Sequence, residues 1–150
     1  MSIDWSKVKT AEQKRQEQLD QLWTAIKAER DRRQSEGGFL VNGHWFHSDT
    51  KSRIQQMALK DSARDLIAAG GLESDPLTIG GQQIQWKLMD GSFVPMTAGL
   101  AIQIVAAAKQ QEAELFQVAE QHWGNALASG DPASYDYSTG WPEAFWERDA

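Results

Sequence analysis

From Ala98 to about residue 128 the chain has no proline and repeats apolar side chains at steps of three and four: Leu100, Ile104, Ala107, Ala108, Leu115, Val118, Ala119 and His122. That spacing predicts one long helix, with Thr97 as its N-cap. Ile102, Val105 and Phe116 widen the stripe, so the early part of the helix is apolar over much of its girth. Such a helix needs other elements to cover it. It is the expected spine, and the rest of the chain has to supply the cover.

Two dipeptides mark where that cover turns. Asn42-Gly43 separates Phe39-Leu40-Val41 from His44-Trp45-Phe46, and Asp90-Gly91 separates a run ending at Leu88 from Ser92-Phe93-Val94. Both are two-residue hairpin signals, because such turns want positive φ at their centre. Leu77-Thr78-Ile79 adds a short strand before Gly80-Gly81, and Ile84, Trp86 and Leu88 alternate onto one face. Pro95 is expected to stop the ladder. Strands this short need a helix behind them. Residues 50–69 predict an amphipathic helix, capped by Ser48 or Asp49 and ended by Gly70-Gly71. Its expected buried face is Ile54, Met57, Ala58, Leu66 and Ile67, and its wet face is Lys51, Arg53, Gln55 and Lys60.

The N-terminal segment reads differently. Thr10-Ala11-Glu12-Gln13 has capping-box spacing, and helix formers follow to Gln34 without Pro or Gly. Its apolar residues are few: Leu19, Leu22, Trp23 and Ile26, with Trp5 and Val8 upstream. They fit a seven-residue repeat in which Glu12, Arg15 and Glu29 occupy three seam positions. A helix so polar is expected to project from the body or to pair with copies of itself as a short coiled coil. The chain therefore divides into residues 1–36, an oligomerisation or docking helix with Leu19, Leu22, Trp23 and Ile26 at its interface, and residues 37–150, a small α+β domain. Arg30, Arg32 and Arg33, interleaved with Glu29, Asp31 and Glu36, read as a solvated or inter-chain helix face, with phosphate contact as the alternative.

After Ser129 the periodicity stops, yet Tyr135, Tyr137, Trp141, Phe145 and Trp146 crowd into a dozen residues. A disordered tail would not carry so many aromatics. They are expected to be anchored on their own chain, on a sibling copy or in a partner.

Charge and chemistry narrow the function classes. The formal net charge is −6. Residues 1–36 hold eight basic and seven acidic side chains, whereas residues 110–150 hold one basic and eight acidic. A chain without a clustered positive face is a poor nucleic-acid binder. No apolar run is long enough to span a membrane, so no membrane insertion is expected. With no cysteine, thiolate chemistry is excluded. His44 and His47 fall on opposite faces of a strand and cannot share a metal. His47, Ser48 and Asp49 are neighbours that cannot adopt triad geometry. G-x-S-x-G and phosphate-binding glycine patterns are absent, and the carboxylates are scattered on polar faces. The expectation is a non-enzymatic structural or interaction domain, with no cofactor and no metal. A different class, receptor or carbohydrate binding, would rest on stacking by Trp45, Trp86, Trp141 or Trp146.

Several stretches resemble an uncharacterised domain family of tailed bacteriophages and prophages: IDWSKVKTAEQK at the start, then AERDRRQSEGGF, GHWFHSDTKSR, WKLMDGSFVPMT and DPASYDYSTGWP. The most specific piece is W-K-x-x-D-G-S-F-V, Trp86 to Val94. The resemblance implies a structural component of the virion tail, in the baseplate or tail-fibre region, made in the host cytoplasm and docking on other tail, baseplate or fibre proteins. An alternative under the same resemblance is a tail-fibre assembly chaperone absent from the mature virion. The family carries no catalytic residues to transfer. Since tail fibres are often trimers, the analogy favours a three-stranded stalk for the first helix.

Overall fold

The computed structural model describes Ser2 and residues 4–149. Its elements are α1 (Ala11–Glu36), β1 (Phe39–Val41), β2 (His44–Phe46), α2 (Thr50–Ala68), β3 (Thr78–Ile79), β4 (Gln82–Gln83), β5 (Gln85–Lys87), β6 (Phe93–Pro95) and α3 (Ala98–Ala128). The class is α+β: three helices with short antiparallel strand pairs β1–β2, β3–β4 and β5–β6. No helix among the described residues is long and apolar enough to cross a membrane.

Local chemistry sets most boundaries. The Thr10 side chain accepts from Gln13 N–H while Gln13 reaches back to the Thr10 N–H, closing the capping box of α1. Asp49, rather than Ser48, caps α2, and Thr97 caps α3. Asn42 and Gly43 both take positive φ between β1 and β2. Pro95 ends the last ladder opposite Gln85, and the outer segments close on each other where Leu77 N–H donates to the Met96 carbonyl. Leu77, Leu88 and Met96 fill the inside of this folded ribbon.

α3 is the spine. Its N-terminal half, through Ala98, Ala101, Ile104 and Ala108, packs with Leu59 and Ala63 of α2 and with Phe39, Val41 and Phe46 of the first hairpin. Its C-terminal half buries Ala119 and Ala126 against Leu22 and Ile26 of α1. Between the two cores lies a polar junction. Gly38 N–H donates to Ser48 Oγ (2.9 Å), Gln111 Nε2 donates to the Gly38 carbonyl (2.7 Å), and Gln56 Nε2 donates to the His47 carbonyl (2.8 Å).

Two expectations change. α1 does not project: Leu19, Leu22 and Ile26 are buried within the chain, and Trp23 stacks on Trp123 with ring centroids 5.1 Å apart. The narrow stripe is spent on α3, so those residues cannot also form the seam of a three-stranded stalk. Arg15 counts as part of the docking face rather than as a break in it. Its guanidinium donates to the Ser129 and Leu127 carbonyls (2.9 and 3.0 Å), satisfying acceptors at the end of α3 where a cation is favoured. The buried face of α2 is also rotated. Gln56, Leu59 and Ala63 point inward, while Ile54 and Met57 are exposed. Gln56 goes inside because the His47 carbonyl satisfies its amide nitrogen.

Gly38 is the tightest backbone position at the junction. It has φ +69°, and a Cβ there would lie 2.8 Å from the Phe46 carbonyl oxygen and run into Met89. Gly38→Ala is therefore expected to destabilise the fold by about 2 kcal/mol or more, from left-handed strain and the clash together. A denaturant titration would read it as a lowered midpoint with an unchanged slope.

Candidate functional site

The residues after α3 fold back along α1 and are held by one buried arginine. Arg33 lies on the last turn of α1, with its side chain 7% exposed. Its Nε donates to Glu29 one turn earlier (2.8 Å), and its two terminal nitrogens fork onto the Glu147 carboxylate (2.8 and 3.1 Å). The Nη1 group also reaches the Pro142 carbonyl at 3.1 Å. A planar guanidinium suits this task because it can bind a carboxylate through two parallel hydrogen bonds and still donate elsewhere. The Trp141 and Trp146 rings flank it, with centroids 5.8 and 5.7 Å from the guanidinium carbon. Arg32 stacks over Trp146 at 4.3 Å and pairs with Glu29.

A second clasp holds the tail on α3. His122 is buried, with Nδ1 2.7 Å from the Tyr135 hydroxyl and Nε2 2.7 Å from the Thr139 carbonyl. The carbonyl can only accept, so Nε2 carries a hydrogen, and in the neutral ring Tyr135 donates to Nδ1. Trp141 lies tilted against His122 at 5.4 Å and donates through Nε1 to the Tyr137 carbonyl. Further along, Phe145 N–H donates to the Gly37 carbonyl (2.8 Å), and the Phe145 ring meets Trp45 edge-on at 6.0 Å.

Between the clasps and α1 is an open cleft of about 450 Å³, lined by Glu29, Arg32, Arg33, Tyr137, Trp146 and Glu147 among others. Both of its arginines are already engaged, Arg32 by Glu29 and Arg33 by Glu29 and Glu147, and Asp136 accepts from Ser138. The hydrogen bond from Arg33, aided by the Ala144 N–H, holds Glu147 below its ordinary 4.5. Glu29 is lowered chiefly by its hydrogen bond to Arg32, against burial, with Arg33 adding to the effect. Both carboxyls thus stay ionised. The arrangement orders a segment; it does not poise a proton donor beside a base. Among the described residues no group of three or more His, Asp or Glu is placed to hold a metal ion. His44 and His47 stay apart: the first lies within electrostatic reach of Asp90, the second beside Ser52 and Trp86.

Of the aromatics expected to meet a partner, Tyr135, Tyr137 and Trp141 pack into the α1–α3 core of the same chain. Phe145 is half-buried on Trp45, and Trp146 alone of the five is largely exposed. The interface set on α1 is likewise consumed inside the chain, with Trp23 at its margin. Sequence reasoning missed Arg33 as a buried hub. The i,i+4 spacing of Glu29 and Arg33 and the acids among the tail aromatics were the available signals, but an ion pair 114 positions apart leaves no local trace.

Two outcomes follow from the clasp. Arg33→Lys cannot reproduce the fork, and it is expected to release the tail while α2 and the hairpins stay protected in hydrogen exchange. Because Glu147 and Glu29 have lowered values in the fold, their contribution is fully present above about pH 4.5 and is lost as pH falls through the lowered values. Acid titration followed by tryptophan emission should show tail release below that point, with a smaller pH-dependent change in Glu147→Gln.

No curated protein and no solved structure matches the chain. A family match covers residues 15–139, reaching from the Arg15 contact to the Thr139 carbonyl that holds His122. With most of its length inside that match, the chain belongs to the family described as Domain of unknown function (DUF4376).

Proposed function

We propose that this chain is a non-enzymatic structural component of a bacteriophage tail, in the baseplate or tail-fibre region, that self-associates and docks on other tail proteins. The observation that carries the proposal is the character of the W-K-x-x-D-G-S-F-V hairpin. This stretch, which most specifically resembles the phage and prophage domain family, forms β5, its turn and β6, and it presents Phe93 to solvent at 60% exposure. The adjoining β3–β4 hairpin presents Ile79 at 75%. Large apolar side chains held out on short hairpins suit insertion into a partner's surface. Trp146, stacked under Arg32 at the edge of the cleft, is a third outward apolar side chain, and an aromatic of the kind interfaces enrich. Trp141, by contrast, is half-buried against His122 and Arg33, which favours a packing role over a sugar-stacking one.

The test is protein mass spectrometry with copy number on purified particles of the phage or prophage that encodes the chain. Stoichiometric peptides are the expected result. Abundance in the lysate with absence from particles would replace this reading with that of an assembly chaperone. Phe93→Ser is expected to reduce incorporation several-fold while leaving the thermal unfolding midpoint of the purified chain unchanged, because the side chain is exposed.

A further inference from the structure

One side of the α1–α3 pair is covered by the tail and the other is bare. α1 and α3 run antiparallel: Arg15 meets the Leu127 and Ser129 carbonyls, Trp23 stacks on Trp123, and Arg30 lies 4.4 Å over Phe116. Phe116, Glu120, Trp123 and Leu127, spaced four, three and four, form one flank of α3. His122, which takes the tail, lies on the opposite flank. Trp23, Lys27 and Arg30 form the matching flank of α1, away from Glu29 and Arg33. The bare side therefore carries the half-buried Trp23–Trp123 stack with Phe116 (55% exposed) and Leu127 (47% exposed) at its two ends.

We infer that this face is an interface for a second copy of the chain, giving a two-fold dimer in which α1 and α3 of each copy form an antiparallel four-helix bundle. Charge and register select the occupant and the axis. In the antiparallel pair, Lys27 is level with Glu120, midway between the Arg30–Phe116 and Trp23–Trp123 contacts. A two-fold axis parallel to the helices keeps every residue at its own level and lays each α1 on the α3 of the other copy. Lys27 then faces the partner's Glu120 twice over, the two tryptophan stacks meet at the centre, and Arg30 reaches the partner's Phe116. A two-fold axis across the helices at that level would instead lay α1 on α1 and α3 on α3 with direction reversed, setting Lys27 against Lys27 and Glu120 against Glu120. At Lys27 and Glu120 the face is charge-complementary to its own copy about the parallel axis and self-repelling about the transverse one, which selects a second copy and the parallel axis. Lys27, 5.3 Å over the Trp23 ring, is already placed at the margin of that stack.

This inference rests on the self-association in the reading above and names its surface. It does not need the location in a particle, so the two can fail separately: a monomeric chain would remove self-association whether or not particles contain it. The experiment is sedimentation velocity on the purified full-length chain over a range of concentrations. The expected result is a dimer. Lys27→Glu is expected to weaken it by at least about tenfold, by placing like charges together, and Lys27→Glu combined with Glu120→Lys should restore it. Phe116→Ser with Leu127→Ser should give a monomer with unchanged circular dichroism. A wild-type monomer at every concentration, a trimer, or a dimer indifferent to both sets of substitutions would overturn the proposal. A monomer would mean that Arg30 and Lys27 simply shield the rings from water.

Discussion

Everything in this chain leans on the close approach that small side chains allow along α3. Ala98, Ala101 and Ala108 let α2 and the first hairpin settle on one half, and Ala119 and Ala126 let Leu22 and Ile26 of α1 settle on the other. Alanine buries little area, so its value here lies in shape: two helices that meet over alanines bring larger neighbours into dense contact. The same device explains how a helix as polar as α1 docks at all. It offers only three buried aliphatic side chains, and they suffice because the surface opposite is flat enough to take all of them.

Docking by so few apolar groups needs polar reinforcement at each end of α1. Arg15 supplies it near the N-terminal end, by satisfying carbonyls at the close of α3. Arg33 supplies it at the C-terminal end, by gathering Glu29, Glu147 and the Pro142 carbonyl. Both arginines spend their charged heads on fixed acceptors. The pairing of Arg33 with Glu147 is only partly shielded from water, so it specifies where the tail lies more than it adds bulk stability. Aromatic rings around it supply the apolar surface that the tail, with only two short 3-10 turns (Pro132–Ser134 and Phe145–Glu147), could not otherwise bury.

The parts legible in the sequence were those decided locally. Thr10, Asp49 and Thr97 are caps with short polar side chains, Asn42-Gly43 and Asp90-Gly91 are turns with a backbone requirement, and the stripe on α3 is strong enough to read unaided. What escaped was decided by partners far away. Arg15 and Glu29 look like interruptions of a seam until the α3 carbonyls and Arg33 are known. On α2 the expected inward face ran through Ile54 and Met57, and the fold turns Gln56 and Leu59 inward instead, with the Gln56 amide donating to the His47 carbonyl. In the clasp, the tail aromatics announced that they would be anchored, and only the fold could say that most of the anchorage lies within the chain.

The long sequence separation across the Arg33 clasp also bears on how the molecule opens. α2, the hairpins and the first half of α3 join segments close in sequence, so their contacts form at low loop-closure cost. α1 has no such neighbours: its partners are the far half of α3 and the residues after it, and its tethers through Arg15 and Arg33 each span more than a hundred positions. Loosening either α1 or the tail strips the other of its support. The two segments from opposite ends of the chain therefore behave as a single cooperative unit, the first to leave a core that stays folded without them.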